Sequence, residues 1–322
     1  MKAVVMREPG SIDVLAVDEL PEPVAGPGQV VVQVAFSGVN FMDIGVREGR
    51  YWKEMPGHKA IGVEGAGTVL SVGSRVVDFV PGQRVAWAYV PGSYAERIAV
   101  SADSLVPVPD GINDRTAAAV MMQGLTASHF ATDFYPVRPG DIALVHAAAG
   151  GVGQLLTQII KLHGGTVIAR VSHASKIEAA RAAGADHVIV DAGSDFADEV
   201  RRLSGGLGVH VVYDGSGEVT FQGSIDSLRP CGTLCWYGPG LGQPPTIALP
   251  SLPRSIKVGY AVYHDHVSTP ALLRARARRL FEWIQAGQLR VEIGGQYPLA
   301  DVSLAHSALA ERTSTGKLLL RP

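Results

Sequence analysis

The stretch that most constrains the fold is VHAAAGGVGQLLTQ, residues 145–158, where alanines and three glycines separate an apolar run from a helix-like run. The run IALVHA leading into it has the composition of a buried strand, and GGVGQLLTQIIKLHG has the apolar spacing of a helix. A glycine-rich turn between a strand and a helix directs unpaired backbone N–H groups of the first helical turn towards one point. The sequence therefore predicts a strand–turn–helix unit that can hold a phosphate group.

Strand-like and helix-like runs alternate from residue 141 to about residue 241, for example TVIARV, HASKIEAARAAGA, HVIV and SDFADEVRRLSGG. This alternation predicts a doubly wound α/β domain, with helices on both faces of a parallel sheet. Residues 1–108 instead contain short valine-rich runs broken by glycine and proline, which predicts a β-rich barrel or sandwich. An alanine-rich helix capped by Asn113 or Asp114 marks the entry to the α/β domain.

Length and composition exclude several classes of protein. The 322 residues suffice for two domains, and the formal net charge of −2 without a long charge run argues against a nucleic-acid or membrane partner. Cys231 and Cys235 are too few for a disulfide framework or a four-cysteine zinc site, so we expect a reducing cytoplasm. The N-terminal MKAVVMREPG enters strand-like alternation without a secretory apolar region, which predicts an untargeted chain.

The turn matches the dinucleotide fingerprint G-x-G-x-x-G, with Ala148 in place of the first glycine. Gly150 takes the position at which the backbone approaches a pyrophosphate, and Gly153 the position at which helix and strand pack closely. The predicted phosphate-binding turn consists of Ala149, Gly150, Gly151, Val152 and Gly153. A tight turn without a ligand is the alternative, and the continuing βα alternation makes it less favoured.

The residues after the second strand of this domain indicate which dinucleotide is bound. An NAD-binding domain carries an acidic residue about 20 positions after the turn, which binds the ribose 2′-hydroxyl. The window TVIARVSHASK has no acidic residue and offers Arg170, Ser172, His173 and Lys176, which favours the 2′-phosphate of NADPH. Singly, Arg170 or Lys176 is equally well read as a solvated surface residue. Asp191 is a carboxylate that could lie near the adenosine end of the dinucleotide, and it weakens the predicted preference for NADPH over NADH.

Further motifs follow in a defined order along nearly the whole chain: SGVNFMD, VEGAGTVLSVG, PGQRVAW, GSYAE, QGLTA, VHAAAGGVGQ, AGADHVI, VVYDGSG, SLRPCGTL, YPLAD and TGK. In this order they resemble the zinc-independent quinone oxidoreductases, the ζ-crystallin-like branch of the medium-chain dehydrogenase/reductase superfamily. The resemblance implies an α/β protein with a GroES-like β-rich catalytic domain of residues 1–122 and 259–322. A doubly wound Rossmann domain of residues 123–258, which binds NADP, lies between these two segments of the chain.

The resemblance also bears on metals and on subunit assembly. In zinc-dependent relatives a cysteine stands at the position of Asn40 and a histidine at that of Val63, so we expect no metal-ligating residues. His58 in MPGHKAIGVEG is interpreted as a polar loop residue. His264 and His266 in YHDHV have metal-like spacing, but without a third ligand nearby in the sequence they are interpreted as a solvated polar stretch. The resemblance further implies a homodimer formed by extension of the Rossmann sheet near TIALPSLPRSIKVGY.

Carried over by position, Asn40 would lie beside the nicotinamide ribose, and Ser172 and Lys176 beside the 2′-phosphate. Tyr237 or its backbone would border the carboxamide, and Arg312 would reach the cofactor from the C-terminal segment. Two positions depart from the family pattern, because tyrosines common there are replaced by Gly45 and Asp191. Gly45 would widen the substrate cleft.

The expected activity is hydride transfer from NADPH to a small-molecule substrate, a quinone or a related α,β-unsaturated carbonyl compound, without zinc. Asn40 and Thr126 are the candidate catalytic hydrogen-bond donors, although the Thr126 hydroxyl could equally satisfy its own helix. Tyr51 and Trp52 could line an aromatic substrate site or form a surface pair. The alternatives are an enoyl or alkenal reductase, an alcohol dehydrogenase-like enzyme, and a non-catalytic NADPH-binding protein such as a crystallin or a sensor.

Overall fold

The computed structural model describes residues 1–51, 60–237 and 246–322. The chain divides into two compact units, of which the first comprises Met1–Gln123 and Val267–Pro322 and the second comprises Gly124–His266. No helix among the described residues is long and apolar enough to cross a bilayer.

The strands are β1 (Lys2–Val5), β2 (Ala16–Glu19), β3 (Gln29–Val39), β4 (Glu64–Val72), β5 (Arg84–Ala88), β6 (Arg97–Ser101), β7 (Val106–Pro107), β8 (Ile142–Val145), β9 (Thr166–Val171), β10 (His187–Val190), β11 (Val209–Asp214), β12 (Leu228–Trp236), β13 (Lys257–Tyr260), β14 (Ile293–Pro298) and β15 (Lys317–Arg321). The helices are α1 (Phe41–Arg47), α2 (Asp114–His129), α3 (Gly151–Leu162), α4 (Ile177–Ala182), α5 (Ala197–Leu203), α6 (Glu218–Ser227), α7 (Tyr263–His266), α8 (Pro270–Gln285) and α9 (Val302–Ala310). A π-helical turn, Phe130–Phe134, follows α2 directly.

The first unit is built on a mainly antiparallel sheet with the strand order β14-β15-β3-β4-β5-β7, to which β6 adds by pairing with β3. The long strand β3 pairs with β6 along its N-terminal half, and its C-terminal end lies between β15 and β4. One face packs around buried Val32, Trp87 and Leu105. Asn113 caps α2 as predicted, because its Oδ1 accepts a hydrogen bond from the Thr116 amide at 2.9 Å.

The second unit contains, within its described residues, a parallel sheet with the order β10-β9-β8-β11-β12-β13. Counted from β8 as the first strand, this order is 3-2-1-4-5-6, the order of the Rossmann fold. The order reverses between β8 and β11, and ligands of open α/β sheets bind beyond the carboxyl ends of the strands at this point. The glycine-rich turn follows β8 and therefore lies at that position.

The turn tolerates the missing first glycine because its left-handed residue is Ala147, with a φ of 48°, whereas Ala148 is not among the residues of positive φ. The Gly150 amide donates to the Ala147 carbonyl at 2.8 Å, and Gly150 has an extended backbone at the N-terminus of α3. A Cβ at Gly153 would collide with the Ala147 carbonyl oxygen and the Ala148 Cα. Gly153 therefore permits the close packing of α3 against the end of β8.

The second unit ends later in the chain than residue 258, where the sequence analysis placed its boundary. β13 includes residues 259 and 260 and pairs in parallel with β12, with Cys235 opposite Gly259 and Trp236 opposite Tyr260. The chain then forms α7 before it returns to the first unit at Val267.

A matched pair of substitutions tests the packing of the turn. Gly153→Ala should lower the free energy of unfolding by about 1 to 3 kcal/mol, because backbone atoms must move to admit the methyl group. Gly150→Ala adds the same group where the nearest atom is the Ala147 oxygen at 3.2 Å, and should cost less than about 1 kcal/mol. Urea denaturation of both variants measures the difference, and equal losses would contradict this account of Gly153.

Candidate functional site

The phosphate-binding turn predicted from the sequence forms the start of α3 in the second unit. Gly150 is the residue before the helix, and Gly151, Val152 and Gly153 form its first turn, with Ala149 buried behind them. A Cβ on Gly150 would meet one atom within 4 Å, the Ala147 oxygen, so the space above this glycine is open. Gly150, the residue before α3, thus leaves room for the approach of a pyrophosphate to the helix N-terminus.

Polar groups also follow β9, the neighbouring strand. Ser172 is the residue after this strand, and its Oγ accepts a hydrogen bond from Lys176 Nζ at 3.4 Å. Both are half-buried and His173 between them is exposed. The structure thus brings Ser172 and Lys176 together at the carboxyl edge of the sheet, which is the edge that carries the turn.

Arg170 differs from this pair because its side chain points into the second unit and is 6% exposed. Its guanidinium donates to the Gly193 carbonyl, lies 4.9 Å from the centre of the Phe196 ring and pairs with Asp191 at 3.5 Å. The Asp191 carboxylate in turn accepts from the Gly193 amide at 2.5 Å. The charges of Arg170 and Asp191 therefore balance each other.

A buried polar network supports the strand that carries the turn. His146, fully buried directly after β8, lies with Nε2 2.9 Å from Ser224 Oγ. Ser224 Oγ donates to Asp214 Oδ2 at 2.7 Å, and Thr220 Oγ1 donates to the same carboxylate at 2.9 Å. Burial lowers the pKa of His146 to about 4, so the imidazole is neutral near pH 7. These bonds connect β8 to β11 and α6 on either side of the point where the strand order reverses.

Two more predicted residues belong to the second unit. Thr126 lies on α2 and is half-buried. Tyr237 directly follows β12, its amide donates to the Asp214 carbonyl at 3.1 Å, and its ring centre lies 4.5 Å from that of Phe130.

In the first unit, Asn40 belongs to a buried charged cluster. Lys317 Nζ lies 2.5 Å from Glu64 Oε2 and donates to Asn40 Oδ1 at 2.7 Å. Asn40 Nδ2 donates to Glu64 Oε2 at 3.0 Å and to the Gly38 carbonyl at 3.2 Å. Glu64 and Lys317 are 0% and 1% exposed, so their charges interact strongly in a medium of low polarity.

The sheet order explains why these three residues meet. Asn40 follows β3, Glu64 begins β4 and Lys317 begins β15, and both of these strands pair with β3. A Cβ at Gly38 would overlap the Glu64 carboxylate and Lys317 Cε. Glu64 Oε1 also accepts from the Met122 amide at 2.6 Å, so both carboxylate oxygens have partners.

A second buried acid lies beside Asn40. Asp43 Oδ2 accepts from the Asn40 amide and from the Tyr94 hydroxyl, each at 2.8 Å. Burial raises the pKa of Asp43 to about 7, although the Tyr94 hydrogen bond acts in the opposite direction. The Tyr94 hydroxyl also lies 3.4 Å from Nε2 of His306, whose pKa burial lowers to about 3.

The remaining predicted positions of the first unit are more exposed or fall outside the description. Arg312 is an exposed residue after α9 with a positive φ of 56°. A Cβ at Gly45 would overlap the Tyr51 ring, so an aromatic ring already occupies the space beside this glycine. Trp52 and His58 lie outside the described residues.

Comparison with known proteins gives the family. Residues 26–110 match the model of the alcohol dehydrogenase GroES-like domain, and residues 151–278 match the model of zinc-binding dehydrogenases. A quinone oxidoreductase of Pseudomonas aeruginosa is 37% identical over 317 residues, which cover 97% of each chain. The chain belongs to the quinone oxidoreductase family. It is also 34% identical over 328 residues to a 2-haloacrylate reductase of Burkholderia sp, covering 99% of this chain and 98% of the relative.

A solved structure of the quinone oxidoreductase family extends the comparison to three dimensions. The crystal structure of Escherichia coli quinone oxidoreductase complexed with NADPH superposes with a TM-score of 0.95 at 31% identity and covers 100% of both chains. The resemblance stated from the sequence motifs is therefore confirmed, as is the α/β fold with a GroES-like domain and a Rossmann domain.

Sequence reasoning missed several buried polar residues of this quinone oxidoreductase family member. Glu64 and Lys317 stand in VEGAG and TGK, motifs that carried the resemblance without a role for either residue. His146 ends the apolar run IALV. Each is a polar residue directly beside a strand-like apolar run, and this is the signal that could have singled them out.

Removal of the ammonium tests the buried ion pair. Lys317→Met should lower the free energy of unfolding by about 3 to 5 kcal/mol, because Glu64 remains buried without its cation. The double variant Glu64→Gln/Lys317→Met removes both charges and should regain much of this loss. Urea denaturation of the two variants provides the comparison, and a Lys317→Met protein as stable as the wild type would contradict the role of the pair.

The raised pKa of Asp43 makes stability depend on pH. With a folded-state pKa of about 7, the Asp43 carboxyl group stays protonated in the folded protein between about pH 4 and pH 7. In the unfolded chain the same group ionises at about pH 4. The free energy of unfolding therefore falls as the pH rises from about 4 to about 7. Relative to Asp43→Asn, the wild type should therefore lose about 4 kcal/mol of unfolding free energy across this range. Denaturation at a series of pH values measures this difference, with the exposed Asp103→Asn as control. A difference that does not change with pH would contradict the buried, protonated state.

Proposed function

We propose that this NADPH-dependent oxidoreductase reduces quinones, or related α,β-unsaturated carbonyl compounds, and that it does so without zinc. The observation that supports this most is the carboxyl edge of the Rossmann sheet, with an open glycine turn after β8 and the Ser172–Lys176 pair after β9. The Escherichia coli quinone oxidoreductase, a chain of the same fold, was crystallised in complex with NADPH. NADPH supplies the hydride, and the roles of the protein are to bind the cofactor, to orient it and to exclude water.

The charge distribution supports preference for NADPH over NADH. Asp191 could have attracted a ribose hydroxyl, but its carboxylate is held by Arg170 and by the Gly193 amide. We assign the 2′-phosphate to Ser172, Lys176 and the exposed His173. Arg170 then acts by neutralising Asp191, although the sequence had suggested direct contact with the phosphate.

We assign the pyrophosphate to the amides of residues 149–153 and the nicotinamide end to Asn40, Thr126 and Tyr237, and Arg312 stays a predicted cofactor contact. The amide of Asn40 is already engaged, since Oδ1 accepts from Lys317 and Nδ2 donates to Gly38 and Glu64. Asn40 is therefore better suited to shape the site than to donate to the substrate. A reduced quinone delocalises its charge, so Thr126 or solvent suffices as the proton donor.

The surroundings of Asn40 also support a reaction without zinc. The Lys317 ammonium donates a hydrogen bond to the amide oxygen of Asn40 at 2.7 Å. This ammonium would repel a metal cation bound at the same oxygen. Val63, which stands at the histidine position of zinc-dependent relatives, is a fully buried apolar residue that offers no ligand atom.

A second candidate class of substrate consists of compounds with a conjugated carbon–carbon double bond. The Burkholderia relative is named 2-haloacrylate reductase, and its similarity to this chain is close to that of the quinone oxidoreductases. In this chain Tyr51 places its ring over Gly45, so a flat substrate can stack there even without the family's tyrosine at position 45.

Assembly into a homodimer is also a proposal. β13 is the last strand in the described sheet order of the second unit, and it exposes Val258 and Tyr260. A strand at the edge of the described sheet, with exposed apolar side chains, is suited to pair with a second copy. Sedimentation velocity gives the mass in solution, and a monomer at micromolar concentration would contradict the proposal. The cytoplasmic location inferred from the cysteine content stays a prediction.

Cofactor selectivity and turnover test the proposal together. Lys176→Ala should weaken NADPH binding by roughly 10- to 100-fold through loss of a charge-assisted hydrogen bond, and should leave NADH binding nearly unchanged. Lys161→Ala is the control, because this lysine pairs with Asp186 at 2.8 Å on the same unit. Calorimetric titration with both dinucleotides measures the affinities.

A substrate panel then identifies the reaction. Oxidation of NADPH, followed by absorbance, should be supported by simple quinones or by conjugated enones and 2-haloacrylate, and not by saturated aldehydes. Activity with saturated aldehydes or alcohols would favour the alcohol dehydrogenase-like alternative. Tight NADPH binding without turnover across the panel would contradict the enzyme proposal and favour a sensor or crystallin-like role.

A further inference from the structure

A cluster of two histidines and an aspartate lies in the second unit, and it begins three residues after Thr126 on the same helix. His129 is the last residue of α2, Asp133 lies in the following π-helical turn, and His266 is the last residue of α7. One potential ligand atom of each lies within 4.8 Å of the other two. Among the described residues these three side chains form a compact group of metal-ligand type.

The π-helical turn helps to bring these side chains together. The Tyr135 amide donates to the Phe130 carbonyl at 3.1 Å, five residues earlier, so this turn holds one residue more than an α-helical turn. Such insertions occur frequently at functional sites. The rings of His129 and His266 have centres 5.1 Å apart and an interplanar angle of 36°. His266 Nδ1 lies 2.7 Å from Asp133 Oδ2.

The burial of the cluster resembles that of a metal site more than that of a surface ion pair. His129 and His266 are 6% and 1% exposed, whereas the Asp133 side chain is 32% exposed and opens the group to solvent. The ring of Phe134 lies edge-on to His129, with centres 6.3 Å apart. An apolar wall with one solvent-facing side gives an ion an entry path and strengthens its electrostatic interactions.

We propose that His129, Asp133 and His266 bind one divalent transition-metal ion of the class of Zn²⁺, Co²⁺ and Ni²⁺. Two imidazole nitrogens and one carboxylate oxygen suit these ions, whereas Ca²⁺ and Mg²⁺ prefer sites made entirely of oxygen. Ligand atoms around a tetrahedral Zn²⁺ are about 3.3 Å apart, as follows from bond lengths of about 2.0 to 2.2 Å. Since the three atoms lie within 4.8 Å of one another, each pair needs to approach by about 1.5 Å at most, and a water would take the fourth position.

The zinc position of the superfamily's metal-dependent members corresponds to Asn40 and Val63, which belong to the first unit, whereas the three residues of this site belong to the second. It also departs from the sequence interpretation, which predicted no metal ligands and took His264 and His266 as a solvated pair. His264 is exposed, but His266 is buried, and its partners come from α2 and the turn after it, 133 residues away in the case of Asp133. A bound ion would link the segment where the second unit begins to the segment where it ends.

The test uses the full-length protein without an affinity tag, freed of metal with a chelator. Titration with Co²⁺ should give visible d–d absorption that saturates at one ion per chain, and Zn²⁺ should displace the Co²⁺. Calorimetry with Zn²⁺ gives the affinity. His129→Gln and His266→Gln should lower this affinity by at least 100-fold, since even the loss of an outer-shell partner lowers metal affinity 10- to 100-fold.

Two further variants keep the result interpretable. Asp133→Asn changes a solvent-facing side chain and should weaken Zn²⁺ binding by tenfold or more even if a buried histidine variant fails to fold. His264→Gln, two residues from His266 and exposed, should bind Zn²⁺ as the wild type does. Wild-type protein that binds no stoichiometric ion, or binding that survives in all three cluster variants, would overturn the proposal and leave the His266–Asp133 contact as an ion pair only.

Discussion

The first unit depends on the buried pair of Lys317 and Glu64. The two residues are 253 positions apart in the chain, yet each begins a strand that flanks β3, so their contact fixes the last strand against the first half of the sequence. A buried ion pair adds little net stability compared with a well-packed apolar pair, but the loss of one partner is severely destabilising. The Asn40 amide completes this pair and is therefore held in a single orientation between β3 and α1.

The second unit places many polar groups at one edge of its sheet. The neutral imidazole of His146 and the hydroxyl of Ser224 satisfy each other beneath the turn, and Asp214 accepts from its neighbours. Arg170 and Asp191 offset each other's charge nearby. The glycine turn and the Ser172–Lys176 pair therefore follow strands whose neighbouring buried charges are paired with each other.

The sequence predicted most of the fold, because both strong signals were local. The alternating runs gave the Rossmann domain, and the turn was located from glycine spacing although Ala148 broke the pattern. The structure shows why this substitution is tolerated, since the left-handed residue is Ala147. The boundary at residue 258 divides β13 because strand pairing with β12 is a non-local property that composition does not reveal.

The candidate site was harder to predict, because the direction of a side chain depends on partners distant in sequence. Arg170 was expected at a phosphate, and its contacts with Asp191 and Phe196 in the interior were not foreseen. His266 was expected in solvent, but Asp133 and His129 enclose it. Lys317 received no role because its partners are Glu64 and Asn40, more than 250 residues earlier.

The second unit is one uninterrupted stretch of chain, Gly124–His266, inserted into the first. Its two ends lie close together, because His129 and His266 are in ring contact. A segment with neighbouring ends can be exchanged between genes by two crossovers without altering the path of the host chain. The Rossmann domain can therefore be exchanged as one segment while the residues of the first unit stay unchanged.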